Sequence, residues 1–595
     1  MRMHFWTIAL GAAMAAVVTS GAVAWEARRE EAVIVVGGRG ADAPGFAKDA
    51  PSNILPGDYV GPEACSGCHE ENYEAWQEHP HRRMNQMASE ETVLGDFDDA
   101  SVALGGVTAR FEHAAGEDYT VTLEGGGAPR RAYRITRTIG VRVKQFYAGV
   151  LIEGEPVRTN GVSDEVVVPF GWWIAQRRWM PVTYFDPYGE GDGAAAESAA
   201  DTLAIPDGTI RSGCAYCHNT LPYLFRLGVD NTLLRGFHDR DLSLDTGALR
   251  GELASVTSLE RLPGFPPGIQ QGFDVTSQLV TVGISCESCH FGARAHAEEK
   301  AKYRFGPSGA TLDVRPATAG QVADRTKDNP WIVNGICRQC HASVGSFYAD
   351  GSSTENSRES LELESGACAS KIACTDCHDP HEKGQDEEAG PDDPLQVAAC
   401  TRCHAAFATD ASARTHARHA PTQASCLDCH MPRITQGMNH AVRSHRISIP
   451  VDPRMLATGA PNACNVCHTG RSPAWTIAEL AKGWNRVVTP EPAWAAAWKG
   501  SLDTTASDAW MASPDQHARL VLIEALGRMR DEGSMRRLAS LLDDPAGATR
   551  AFAAMAIGRR VGRWLGPDEI DVMAARGERR AQLATLVPRL TKERR

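Results

Sequence analysis

Sixteen of the seventeen cysteines in this chain of 595 residues stand in C-x-x-C pairs, and every pair is followed at once by histidine. In chain order the eight motifs are Cys65-Cys68-His69, Cys214-Cys217-His218, Cys286-Cys289-His290, Cys337-Cys340-His341, Cys374-Cys377-His378, Cys400-Cys403-His404, Cys426-Cys429-His430 and Cys464-Cys467-His468. Random placement of 17 cysteines and 20 histidines would give about 0.02 such motifs. The spacing therefore has a chemical cause.

The N-terminus narrows that cause. After Arg2 the segment Phe5 to Trp25 carries no charge and ends in Ala22-Val23-Ala24, a short basic start, an apolar run and a small-residue site. It reads as a secretory signal cleaved after Ala24; the rival reading is an uncleaved membrane anchor. In an exported chain thiols become disulfides, but a disulfide framework has no use for an adjacent histidine. Structural zinc pairs C-x-x-C knuckles without requiring histidine after each second cysteine. A thioredoxin-like redox pair needs one C-x-x-C, not eight. Covalent attachment of haem explains every position. Two sulfurs set one helical turn apart form thioethers to the haem vinyl groups, and the next residue points its imidazole at the iron. The expected cofactors are eight haem c groups with their iron.

A second ligand for each iron must come from elsewhere. Outside the motifs, His4 lies in the signal segment and His517 in a C-terminal helical region, leaving His79, His81, His113, His238, His296, His381, His416, His419, His440 and His445. That supply covers bis-histidine ligation, which is six-coordinate, low in potential and suited to electron transfer. His381 and His296 lie too close to their own motifs to cap the same haem, so each is expected to reach a neighbour. His416 and His419 are three apart on an expected short helix and would share one face. His440 and His445 follow the seventh motif. His81 competes with His79, and Met84 is a weaker third. His113 sits in a strand-like run and is the least favoured.

The elements that must position these groups fall into zones: signal 1–24, linker 25–55, first motif with a β-rich region 56–200, a seven-haem core 201–475 and an α-helical domain 476–595. Alternating runs such as "GVTARFEH", "DYTVTLEG" and "RAYRITRTIG" predict short antiparallel strands. The aromatic run "VVVPFGWWIAQRRWMPVTYFDP" is expected to serve both a strand core and haem faces. From the second motif on the motifs crowd together, the interval shrinking from Cys214–Cys286 to Cys374–Cys400 and Cys400–Cys426 before it widens again to Cys464. A unit as short as Cys400–Cys426 cannot build its own core, so porphyrins must supply most of the apolar interior there. After His468, "HARLVLIEALGRM" and "ATRAFAAMAIGRR" align around an amphipathic segment, with Arg519 on Arg550, Ala525 on Ala556 and Gly527 on Gly558, as in a HEAT-like helical repeat. The fold class expected is mainly α with sparse regular structure: a multihaem c-type cytochrome core, a small β-containing N-terminal insertion and a HEAT-like α-helical C-terminal domain.

The net charge is −13, yet the residues from His517 on carry 16 Lys and Arg against 10 Asp and Glu. A basic cap on an acidic body docks internally or recruits an acidic partner, unless it is only a solvated helix face. Export argues against nucleic acid. Cys368 has no adjacent histidine and no other unassigned cysteine to pair with, so a buried spare thiol is the default and an intermolecular bridge the alternative.

The phrases "YVGPEACSGCHEENYEAW", "VLGDFDDA", "GISCESCH", "CTDCHDPH", "CLDCHMPR" and "PNACNVCHTGRSPAW" resemble a family of bacterial multihaem c-type cytochromes. These are related through their haem motifs to the tetrahaem cytochrome c of nitrifiers, and many carry a helical-repeat C-terminus. The resemblance covers roughly residues 56–475. It implies periplasmic electron transfer and the eight haem-binding pairs above. It also favours His81, since the family often has serine where this chain has His79, before Pro80-His81. Two functions stay open. One is an electron conduit between redox donor and acceptor proteins, or from a membrane quinol-linked complex. The other is a multihaem oxidoreductase of nitrogen or sulfur oxyanions with one open iron.

Overall fold

A computed structural model describes residues 52–592 apart from 115, 155–164, 185–213, 228–235, 238–241, 245–277, 304, 309–311, 315–328, 344, 370, 383–393 and 438–439. The expected signal segment, most of the expected linker and His238 lie outside the described residues. The linker's last stretch is packed: Ile54 is buried beside Tyr223 and Phe291, and Asn53 Nδ2 donates to the Gly306 carbonyl at 3.1 Å.

Eight antiparallel strands form one sheet: β1 (Asn85–Met87), β2 (Ala100–Leu104), β3 (Val107–Glu112), β4 (Thr120–Gly125), β5 (Ala128–Ile139), β6 (Lys144–Glu153), β7 (Glu165–Trp173) and β8 (Arg178–Pro181). Strands β2 to β8 run as a meander, and β1 continues the β4 edge along the far end of β5, Asn85 opposite Ile139. The β2–β3 hairpin closes Leu104 on Val107 through Gly105 and Gly106, both at positive φ, the conformation that a two-residue turn demands and glycine supplies without strain. Alternation holds on β3, where Val107, Ala109 and Phe111 face inward.

Strand β7 is buried on both faces. Val166, Val168, Phe170 and Trp172 join Phe97, Phe111, Tyr147 and Trp179 in the sheet's own core. Trp173, with Met180 and Tyr184 beyond it, enters the core of the C-terminal helices. The aromatic run thus serves the strand core and the helical domain. The β unit is larger than the small insertion expected, so the chain combines a full antiparallel sheet with helical regions and a helical C-terminus.

The C-terminal core is built on helices Gln516–Arg528, Glu532–Ser540, Gly547–Val561 and Arg576–Lys592. Asp515 and Asp531 cap the first two, each accepting a backbone N–H at 2.9 Å. The two aligned segments pack on one another through small residues; a methyl on Gly527 would lie 3.1 Å from the Ala556 methyl. Arg550 locks this domain to the sheet, donating to Tyr184 Oη at 2.7 Å and to the carbonyls of Val572, Asp544 and Pro545. His517 reaches the motif region, its Nδ1 3.1 Å from Gln436 Oε1. No helix among the described residues is long and apolar enough to cross a membrane.

Candidate haem-binding sites

Each motif folds into one helical turn. The histidine N–H donates to the carbonyl of the first cysteine for His69, His341, His378, His404 and His468, at 2.8 to 3.0 Å, while Cys214–His218, Cys286–His290 and Cys426–His430 are helical throughout. The residues between and before the cysteines cap these turns. Asp428 accepts from Ser425 N at 2.9 Å while Ser425 Oγ accepts from Leu427 N at 3.2 Å; Asp376 accepts from Ala373 N at 2.8 Å; Asn462 accepts from Asn465 N at 3.1 Å. The turn sets both sulfurs on one side with the imidazole next to them.

Six motif histidines face a second histidine ring. The ring centroids of His69 and His296 lie 6.5 Å apart, those of His341 and His81 6.4 Å, those of His378 and His445 6.3 Å. The pairs His290–His381, His430–His416 and His468–His419 all stand at 6.1 Å. This is too far for stacking. Two metal–nitrogen bonds of about 2.0 Å and two ring radii of about 1.1 Å would place centroids about 6.2 Å apart, so the spacing fits one iron between each pair of rings.

Five of these rings have an occupied outer nitrogen, in keeping with that fit. Nδ1 of His430 meets the Ser448 carbonyl at 2.7 Å, Nδ1 of His419 the Ala417 carbonyl at 2.8 Å, and Nδ1 of His296 the Ala301 carbonyl at 3.0 Å. His290 Nδ1 stands 3.2 Å from Tyr303 Oη, and His341 Nδ1 stands 3.1 Å from Glu359 Oε2. An imidazole that donates from Nδ1 presents a bare Nε2, the form that binds metal. Burial also disfavours charge on His81, His290 and His218. It pushes His81 down to about 3, with His79 and His341 adding to it, and His290 and His218 down to about 4. His341 differs: burial opposes its charge, but the Glu359 hydrogen bond and negative charge outweigh that and raise it, while the same contact outweighs the burial of Glu359 and lowers the carboxyl.

Other expectations resolve differently. His79 caps the turn Pro80–Arg83, its Nδ1 accepting from His81 N at 3.1 Å, which puts its own proton on Nε2 and turns that nitrogen away from metal binding. His113 stacks on Tyr119 at 3.8 Å in the sheet domain. His416 and His419 do not share a helix face. The helix Asp410–Ala417 stops at left-handed Arg418, so the two histidines diverge to His430 and His468. Among the described residues no histidine ring is paired in this way with His218 or His404; His440 sits at the tip of the hairpin Arg433–Gln436/Ala441–Arg443. Among them, too, no three His, Cys, Asp or Glu side chains converge to hold a bare metal ion, unlike a zinc knuckle. Cys368 is half-buried.

The motifs also touch each other. Thiols come within hydrogen-bond reach between Cys65 and Cys286, Cys217 and Cys340, Cys337 and Cys374, and Cys400 and Cys426. Cys289 lies near Cys340, Cys377 near Cys400 and Cys429 near Cys467. The first motif thus abuts the third, the fourth abuts the second, third and fifth, the fifth abuts the sixth, the sixth the seventh, and the seventh the eighth. Polar side chains that the sequence did not single out hold these junctions. Glu287, inside the third motif, is 1 % exposed and accepts from Gly61 N at 2.8 Å and Ala293 N at 3.0 Å. Asn334 bridges to the fifth motif, accepting from Cys374 N at 2.9 Å and donating to the Ile372 carbonyl at 2.9 Å. Glu362 accepts from the His445 backbone N–H at 2.5 Å.

Two family models match the chain: cytochrome c554 and c-prime over residues 64–99, and cytochrome c552 over residues 413–496. No curated protein matches. A solved chain, the crystal structure of the outer cell wall cytochrome OcwA, aligns at 15% identity and a TM-score of 0.35, covering 90% of this chain and 99% of that one. The family matches fall on the first motif and on the seventh and eighth. They support a multihaem c-type cytochrome, an electron-transfer protein with covalently bound haem c.

Proposed function

We propose that this chain is an exported octahaem cytochrome that relays electrons through closely spaced haems, most of them held between two histidines. The sixteen motif cysteines bind eight haems, and His69, His218, His290, His341, His378, His404, His430 and His468 are the proximal ligands. His296, His381, His81, His445, His416 and His419 are distal ligands to the first, third, fourth, fifth, seventh and eighth motifs respectively. His238 and His440 are the histidines left for the second and sixth. Haem supplies reversible one-electron chemistry; the protein fixes its orientation, dries its surroundings and sets its potential.

The observation that carries this reading is the set of six ring pairs at 6.1 to 6.5 Å. Saturated irons exclude a substrate, which favours transfer over chemistry. The thiol contacts support a branched route: the fourth motif is a junction, with the second on one branch, the first and third on another, and the fifth to eighth on a third. Redox proteins, or a quinol-linked membrane complex, are the partners this predicts, outside the cytoplasm. The C-terminal helices form a HEAT-like docking cap.

One observation favours the second reading, an oxidoreductase with an open iron: His218 and His404 lack a paired ring among the described residues. Intact mass gives the haem count. Low-temperature EPR of the ferric protein, with optical spectra of the reduced protein under carbon monoxide, then separates the readings. Eight low-spin irons and no carbon monoxide shift support the conduit. A high-spin signal with a shift in one haem's share of the absorbance supports the enzyme, and fewer than eight haems overturns the octahaem assignment.

A further inference from the structure

Among the described histidine pairs, five outer nitrogens have a hydrogen-bonding partner at 2.7 to 3.2 Å, and four of those partners are neutral: three backbone carbonyls and one tyrosine hydroxyl. The exception is His341 of the fourth motif, whose Nδ1 lies 3.1 Å from Glu359 Oε2. A second acidic neighbour, Asp379, stands 3.6 Å from His381 Nδ1, beyond hydrogen-bond reach.

Glu359 is built in place. Its other oxygen accepts the Ser357 N–H at 2.8 Å. The next residue clamps the same histidine, Ser360 N donating to the His341 carbonyl at 3.1 Å. Ser343 N donates to the Ser357 carbonyl at 2.7 Å, closing a loop in which Arg358 also donates to the Ser343 carbonyl. Segment 357–360 therefore grips the residue after the fourth motif's second cysteine at its ring and its backbone together. The charged neighbours around Glu359 are His341, His445, Glu362 and Arg358.

We infer that Glu359 is a tuning residue that makes the fourth haem the hardest of the series to reduce. This rests on the haem-relay reading above. A carboxylate on Nδ1–H pulls the proton outward and gives the ring imidazolate character, so Nε2 becomes a stronger donor that favours ferric over ferrous iron. The fixed negative charge acts in the same direction, stabilising the site with one more positive charge. Carbonyl partners do this more weakly. The fourth motif is also the junction of the branches, through Cys340–Cys217, Cys337–Cys374 and Cys289–Cys340. An uphill site at a junction holds electrons on the separate arms at rest and admits them to the crossing only in transit.

The test is a potentiometric titration of the haem-loaded full chain, followed optically and by EPR, for the parent, Glu359→Gln and Asp379→Asn. Glu359→Gln keeps the size and a hydrogen-bonding group but removes the charge. The lowest-potential component, about one-eighth of the total absorbance change, is expected to shift upward, with a changed low-spin g value for that iron and the other components in place. Asp379→Asn is expected to leave the lowest component unmoved. Superimposable curves for parent and Glu359→Gln at full haem loading would overturn the inference, as would movement of a component other than the lowest. If Glu359→Gln loads poorly, Glu359→Asp serves, because withdrawing the carboxylate should move the same component in the same direction. A parent that carries no haem would instead refute the underlying reading.

Discussion

His381→Ala separates ligation from mere proximity. The His381 ring faces His290 at a centroid distance of 6.1 Å and an interplanar angle of 21°. Its side chain is 43% exposed, and its acidic neighbour Asp379 stands off at 3.6 Å. Apart from an iron bond the substitution therefore removes little. An exposed pair of this kind contributes about 0–1 kcal/mol, and no packed core is opened. A residue of structural interest alone would give a small thermal shift and unchanged spectra. A distal ligand would give one high-spin iron, a carbon monoxide shift in about one-eighth of the Soret absorbance, and restoration of the low-spin state by added imidazole, which fits the space vacated. The assay is EPR and optical spectroscopy of matched, fully haem-loaded samples. His79→Ala, made alongside, should leave all low-spin signals unchanged because that ring serves as a cap. A fully low-spin His381→Ala protein that binds no carbon monoxide would refute the pairing, and with it the use of ring spacing to assign the other five.

Arg550→Ala should destabilise the union of sheet and C-terminal helices by roughly 2–5 kcal/mol, since it strips partners from buried carbonyls and from Tyr184; calorimetry should show an earlier transition with haem content intact. Glu362 is buried and its carboxyl is pushed up to about 7 from 4.5, burial being the main cause. Because the folded value is the higher, its contribution is whole below about pH 4.5 and is lost as pH rises through about 7, at most about 3 kcal/mol. Glu362→Gln should therefore flatten the fall in melting temperature between pH 5 and pH 8, and an unchanged slope would count against that origin. Cys368→Ser should leave the haem-to-protein mass ratio as it is, whereas loss of a haem would show that this thiol takes part in attachment.

The motifs are legible in the sequence because their chemistry is local: two sulfurs and an imidazole within one helical turn need five consecutive residues. The distal partners are legible only as a pool. Which ring meets which iron depends on tertiary placement, and no spacing announces that His81, beside the first motif, crosses to His341 of the fourth. The expectation that His416 and His419 share a face fails because left-handed Arg418, not a glycine, ends their helix. Glu359 is hidden for another reason. It is one of several acidic residues in "STENSRESLELES", and only the loop closing through Ser343 and Ser357 selects it. The strands are readable from alternation, but β7 is buried on both faces, and the helices that cover its second face are joined to it only through the whole length of the motif region.

The pairing pattern explains how so sparse a region can hold one arrangement. Among the described residues between the fourth and eighth motifs, Tyr348, Ile434, Met455 and Ala460 join the C-terminal core while Val451 and Leu456 sit in a small separate cluster, and successive motifs follow one another as closely as Cys374, Cys400 and Cys426. Hydrophobic packing of protein on protein cannot order such short segments. On the proposed ligation the distal histidines would lace them instead. His296, after the third motif, faces the first; His381, after the fifth, faces the third; His445, after the seventh, faces the fifth; His81, after the first, faces the fourth. These four pairs join segments distant in sequence, so on the proposed ligation their haems would act at once as core filler and as cross-link. Order in the relay and order in the fold then have one origin. Removing one of these histidines is then expected to loosen a junction as well as an iron, whereas Glu359→Gln is expected to alter a potential and leave the lacing whole.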